Sequence, residues 1–230
     1  MAEDFEVHPI AIEKTLTELR EGLMQEYAAR RVPRHRRSER RSRNLCTIQR
    51  WIAGIDSLLA QINEVNREVI PAIETDLGIT IHDPDLITRV LADSSIQPLF
   101  RDILAKLPEE DLPVPANDLY TLYTMPDNAD ALALIGDVTM RLKVLPECDE
   151  KSTHPMEPVT AANVAALCDR WRLAEHVIGF HCGPPPGDET GQQKKWILAS
   201  AVLGVLYREG GADTLRRAAG LLRQCGESRH

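Results

Sequence analysis

The chain has 230 residues, enough for one substantial hydrophobic core or for a core with a smaller accessory element. Its 43% hydrophobic and 27% charged residues are ordinary for a globular protein, and no apolar run approaches the ~20 residues that span a bilayer. The net charge of −8 is uneven: residues 1–43 hold 10 Lys and Arg against 8 Asp and Glu, whereas residues 44–230 hold 17 against 27.

The first residues, Met1-Ala-Glu-Asp-Phe-Glu6, carry acids where a secretory or mitochondrial leader carries Arg or Lys, so a cytoplasmic or nuclear protein with no membrane partner is expected. Pro9 suits a first helical turn, and Ile12, Leu16, Leu19, Leu23 and Tyr27 then recur at helical spacing as one apolar stripe. Pro33 and an arginine run end this helix. From Arg30 to Arg43, eight arginines occupy fourteen residues (Arg30, Arg31, Arg34, Arg36, Arg37, Arg40, Arg41 and Arg43), and their mutual repulsion predicts a loop. A second stripe follows at Leu45, Ile48, Ile52, Ile55, Leu59, Ile62, Asn66 and Val69. Its alternating steps of three and four describe a narrow coiled-coil-like seam. This seam calls for an apolar partner, either the first helix in an antiparallel hairpin or a second chain. Pro71 interrupts near its end.

The remainder also reads as helices. One starts at Asp83-Pro84-Asp85, and a Pro- and acid-rich loop spans residues 107–115. Pro126-Asp127-Asn128 is a helix start that opens into residues 129–145. Residues 160–174 form a further helix, and the turn at Gly183-Pro-Pro-Pro-Gly187 precedes two last helices over 194–207 and 212–222, divided by Gly210-Gly211. No stretch alternates as a strand does, so the expected fold is all-α. Five cysteines, at 46, 148, 168, 182 and 225, include no Cys-x-x-Cys pair and read as thiols rather than as a disulfide framework or zinc ribbon.

Several segments, in order, resemble the ribonuclease III family. Asp85-Leu-Ile-Thr-Arg-Val-Leu-Ala-Asp-Ser-Ser95 is similar to the family's opening helix, which ends in Leu-Thr-His-Ser-Ser. Asp130-Ala-Leu-Ala-Leu-Ile-Gly-Asp137 resembles the signature helix Glu-x-Leu-Glu-Phe-Leu-Gly-Asp. Leu173-Ala-Glu-His176 stands where the family has Leu-Gly-Glu-Tyr, and Ala201-Val-Leu-Gly-Val-Leu-Tyr-Arg-Glu-Gly-Gly211 resembles Ala-Leu-Ile-Gly-Ala-Leu-Tyr-Leu-Asp-Gly-Gly. The resemblance implies a ribonuclease III-like helical domain over residues 79–230, preceded by an N-terminal helical hairpin over 1–78 with its arginine-rich loop at 30–43.

That family cleaves double-stranded RNA with Mg²⁺ held by carboxylates of two helices. Here the signature helix retains Asp137, with Asp130 at the earlier acidic position, but the central glutamate is replaced by Ala133. Counting back from Gly204 places the other two carboxylate positions on Ile197 and Ser200. The resemblance therefore implies a domain without most of its catalytic carboxylates, for which no cofactor is expected. Mg²⁺ enters only in the alternative of a divergent endoribonuclease using Asp130 and Asp137, with Asp127 as a further acid. The resemblance also implies a homodimer or heterodimer through the signature helix, with Gly136 allowing close approach. With only residues 223–230 after Leu222, the family's double-stranded RNA-binding domain is expected to be missing, and the arginines at 30–43 are the expected RNA contact. A helical protein-binding scaffold is the third expectation.

Overall fold

The structure, a computed structural model, describes residues 10–31, 39–141, 161–180 and 188–227, with backbone alone for 39–44, 161, 188–190 and 223–227. Its helices are α1 (Ile12–Arg31), α2 (Glu39–Glu64), a π-helical turn (Val65–Val69), α3 (Ile70–Leu77), α4 (Pro84–Leu91), α5 (Gln97–Lys106), α6 (Ala116–Thr139), α7 (Ala161–Arg170) and α8 (Asp188–Glu227). Short 3₁₀ turns lie at Ser94–Ile96, Glu109–Asp111 and Leu173–His176. The extended pairing among the described residues is one parallel bridge between Ala92 and Ile178. The described residues are all-α, as the periodicity predicts.

The described residues within Met1–Ile62 and Ser95–Thr124 form one compact unit, and those within Asn63–Ser94 and Met125–His230 form a second. In the first, α1 buries Ile12, Leu16, Leu19 and Leu23. Arg20 of α1 is paired with Asp56 of α2, and the Tyr27 hydroxyl accepts a hydrogen bond from Gln49 at 2.6 Å. Moving along α1 thus moves backward along α2, so the two helices are antiparallel. The buried seam of α2 differs from the predicted one: it runs through Ile48, Trp51, Ile55, Leu58 and Ile62, while Ile52 and Leu59 are half-buried. Trp51 decides this rotation. Its large ring is 2% exposed, and its indole N–H donates to Asp102 of α5 at 2.9 Å. A buried indole needs such an acceptor. Arg50 and Lys106, at 3.0 and 2.7 Å, complete the setting of that carboxylate. Burial alone opposes ionisation of Asp102, but the Lys106 and Trp51 hydrogen bonds outweigh it and hold the carboxyl below its ordinary range. The Pro-rich loop lies on α1 where Gly22 has no side chain, since a Cβ there would collide with the Pro113 ring.

Helix α1 continues through Arg31 and α2 begins at Glu39, so Arg30, Arg31, Arg40, Arg41 and Arg43 have helical backbone. Arg34, Arg36 and Arg37 lie outside the described residues. Arg30 is paired with Glu26 one turn earlier.

Two prolines mark departures from a regular helix. Pro71 interrupts the second helix as expected: the chain passes through the π-helical turn and resumes as α3, with Pro71 in its first turn, to Leu77. A proline has no N–H to give to the preceding turn, and its ring crowds the carbonyl four residues back. The wider π turn just before it is where that mismatch is absorbed. Pro126 does not start a helix but sits inside α6, which begins ten residues earlier at Ala116. An interior proline costs about 3 kcal/mol. Leu119, Leu122 and Met125 are all buried on the turns before it, at about 1.5–3 kcal/mol each, and that burial wins.

In the second unit, the α3–α4 connection is tied to α8 at both ends. Gly78 takes the left-handed conformation (φ 60°) that closes α3. Arg217 of α8 donates to the otherwise unused carbonyls of Leu77 and Gly78 at 3.0 and 2.6 Å. Glu209 of α8 accepts from the backbone N–H groups of His82 and Asp83 at 2.9 and 3.2 Å, just ahead of α4. Gly211 (φ 64°, ψ −154°) kinks α8 at the break the double glycine predicts. In the same unit, α3 meets the end of α7 in a second tryptophan–aspartate contact: Trp171 donates to Asp76 at 3.0 Å, and Arg170 grips the same carboxylate at 2.5 and 2.6 Å.

Candidate functional site

The positions to which the resemblance assigns metal-holding carboxylates lie where α6 crosses α8 inside the second unit. The crossing is set by two glycines. A Cβ on Gly136 would collide with the Ser200 carbonyl and lie 2.6 Å from the Gly204 nitrogen, and a Cβ on Gly204 would collide with the Leu132 carbonyl. Backbone therefore meets backbone, with Leu132 near Gly204 and Gly136 near Ser200, so the helices pass antiparallel at their closest approach. Gly136 thus permits a close approach within the chain, to α8.

Around this crossing the surface is closed. Ala133 is 5% exposed and Ser200 1%, while Ile197 is half-buried. The Ser200 hydroxyl and the indole N–H of Trp196, one turn before it, are buried and hydrogen-bond to no protein group. The acids of α6 differ in their surroundings. Asp137 is half-buried and accepts from Arg141 at 2.8 Å in an i,i+4 pair, whereas Asp127 and Asp130 are exposed. Asp130 and Asp137 are two turns apart, roughly 10 Å along the helix axis. Among the described residues, no three His, Cys, Asp or Glu side chains come together as a metal-binding group.

The outward face of α6 carries a feature that the sequence reading did not single out. Leu134, Ile135 and Val138 are 65%, 44% and 41% exposed, respectively. Their i, i+1, i+4 spacing puts them side by side on the helix. The signal was present in the segment 130–138, which is apolar at more positions than one buried face requires. A polar cluster at the π-helical turn was also not singled out. Glu68 lies 3.3 Å from Arg172 and 3.5 Å from His176, and Arg172 also holds Glu175 at 2.5 Å. Arg172 has φ 53°, a left-handed conformation that residues other than glycine rarely adopt.

Cys168 is buried, and burial pushes its thiol up to about 11, whereas Cys46 is exposed. The remaining cysteines fall outside the described side chains. No described helix is long and apolar enough to cross a membrane. Comparison of the chain with protein-family models, with curated proteins and with solved structures returns no match in any of the three.

Proposed function

We propose that this chain is a non-cleaving, ribonuclease III-like protein that self-associates and works as an RNA-associated factor. The observation that carries the non-cleaving part is the α6–α8 crossing. Where the resemblance expects carboxylates at 133, 197 and 200, the chain has Ala133, Ile197 and Ser200, of which Ala133 and Ser200 are almost fully buried. A hard divalent ion needs several oxygen ligands converging on one point. Asp137 is drawn instead into a pair with Arg141.

Self-association is supported by the stripe Leu134, Ile135 and Val138, whose exposure on one helix face is unusual for side chains of that size. RNA association rests on the eight arginines between Arg30 and Arg43, which would neutralise backbone phosphates without reading sequence.

The first experiment is incubation of the purified full chain with long double-stranded RNA in Mg²⁺ or Mn²⁺. Intact RNA is expected. Cleavage that disappears in Asp137→Asn would overturn the non-cleaving reading in favour of a divergent endoribonuclease built on Asp130 and Asp137. A mobility-shift titration over a range of salt concentrations tests the rest: binding should weaken steeply with salt and be lost when the eight arginines are replaced by glutamine. No retardation at moderate salt would instead make the chain a protein-binding scaffold. Sedimentation of Leu134→Lys should show dissociation if the stripe is the self-association surface.

A further inference from the structure

We infer that an outer ledge made by Arg50 of α2 with Arg101 and Lys106 of α5 is a second phosphate-binding surface. It continues the arginine segment onto the folded body and takes the backbone of duplex RNA. The inference rests on the RNA association proposed above and adds where on the fold the duplex lies. It begins from a local charge imbalance. Residues 44–230 are acidic as a whole, with 17 Lys and Arg against 27 Asp and Glu, yet on this ledge cations outnumber acids. Asp102 meets Arg50 at 3.0 Å and Lys106 at 2.7 Å. One carboxylate offsets one of the two, so a positive charge is left over. Arg101, exposed one position earlier on α5, adds a second.

The fold makes this a fixed surface. Trp51, next to Arg50, is 2% exposed and donates its indole N–H to the same Asp102. The carboxylate is therefore anchored to the core, and it holds one cation from each of two helices side by side. Both cations stay open to solvent, with 70% of the Arg50 side chain and 50% of the Lys106 side chain exposed. A guanidinium has five N–H donors and an ammonium three, so each keeps donors for a phosphate while bonded to Asp102.

Helical register ties the ledge to the arginine segment. The backbone of α2 is helical from Glu39, which puts positions 43 and 50 two turns apart on one line, about 10 Å along the axis. That line runs on through Gly54 and Ser57 and carries no acid. Asp56 lies off it and is paired with Arg20. The ledge ends where Glu109, Glu110 and Asp111 follow α5. All these positions belong to one compact unit. The neighbouring rings, Trp51 and Phe100, are buried and cannot stack on a base, so the surface suits phosphates and reads no sequence. A duplex packs phosphates more densely than a single strand and gains more from cations held at two places.

The test is fluorescence anisotropy of a labelled RNA duplex titrated with the full chain at several salt concentrations. Each phosphate contact adds about one to the slope of log affinity against log salt. The combined Arg50→Gln, Arg101→Gln and Lys106→Gln variant should lower that slope by about two to three and weaken binding about tenfold or more. These side chains are exposed, so their replacement spares the core. Combining Arg50→Lys, Arg101→Lys and Lys106→Arg keeps the charge and should keep the slope. Glutamine at three exposed cations elsewhere, Lys14, Arg67 and Lys194, makes the same change in net charge and should leave the slope as it was. An unchanged slope in the first variant overturns the ledge while RNA association through residues 30–43 stands, and so does an equal fall in the last one. No binding by the unaltered chain overturns that association and the ledge together.

Discussion

The glycine crossing between α6 and α8 gives the most demanding prediction, because two effects of one substitution oppose each other. Replacing a glycine inside a helix with alanine stabilises the helix by about 1 kcal/mol. At Gly136 and Gly204, however, the added Cβ would overlap the backbone of the opposite helix. Backbone carbonyls are not flexible side-chain ends, so the helices must separate by roughly an ångström before the contact is tolerable. Overpacking of this kind costs about 1–3 kcal/mol and occasionally more. With no side-chain rotamer to absorb the strain, the upper end applies, and the net loss is about 2 kcal/mol for either Gly136→Ala or Gly204→Ala. For a chain of this size that corresponds to a fall in Tm of about 4–8 °C, read by thermal unfolding with near-ultraviolet circular dichroism. The double variant should lose less than twice the single loss, because the first substitution has already separated the helices. Gly220 provides the control: it lies in α8, is exposed, and its Cβ would meet nothing within 4 Å. Gly220→Ala should keep the helix-propensity gain and raise stability by about 0.5–1 kcal/mol. If Gly136→Ala behaved like Gly220→Ala, the closed crossing would be wrong, and with it the support for a non-cleaving domain.

Three further outcomes follow from particular contacts. The Arg170 hydrogen bond, together with that of Trp171, holds the Asp76 carboxyl below its ordinary range despite burial, so its contribution is present above about pH 4 and is lost as pH falls through the lowered folded value. Asp76→Asn should therefore cost about 1–2 kcal/mol at pH 7 and flatten the acid limb of a stability-against-pH curve; an unchanged limb would refute the assignment. At Arg172, glycine relieves the left-handed strain whereas alanine keeps it, and both lose the contacts to Glu68 and Glu175. Chemical denaturation should accordingly find Arg172→Gly more stable than Arg172→Ala by about 1 kcal/mol. Alkylation at pH 8 followed by peptide mass mapping should label the exposed Cys46 well before the buried Cys168, whose thiol burial holds protonated.

Much of the architecture is written in the local pattern of the chain. The α1 stripe of Ile12, Leu16, Leu19 and Leu23 is buried as its spacing predicts, and the break at Gly210-Gly211 is the kink of α8. These features depend on helical periodicity and on a glycine's tolerance of positive φ, both properties of a few consecutive residues. Where local preference met long-range packing, packing won. Pro126 reads as a helix start, yet buried Leu119, Leu122 and Met125 carry α6 through it. The α2 stripe could be drawn through Ile52 or through Trp51, since both repeat at three and four, and it was Asp102, fifty-one residues away, that selected the tryptophan.

The same division applies to the candidate site. The residue types at Ala133, Ile197 and Ser200 are legible in the sequence, and they set the limit on any chemistry there. That Gly136 and Gly204 bring α6 and α8 into backbone contact, that Leu134, Ile135 and Val138 face outward, and that Glu68 meets Arg172 and His176 are decided only by tertiary structure. Sequence determines which side chains exist and how each helix is striped. Which stripe is covered, and by what, depends on contacts more than sixty residues apart in the chain (Gly136 with Ser200, Glu68 with Arg172), for which no local pattern carries a signal.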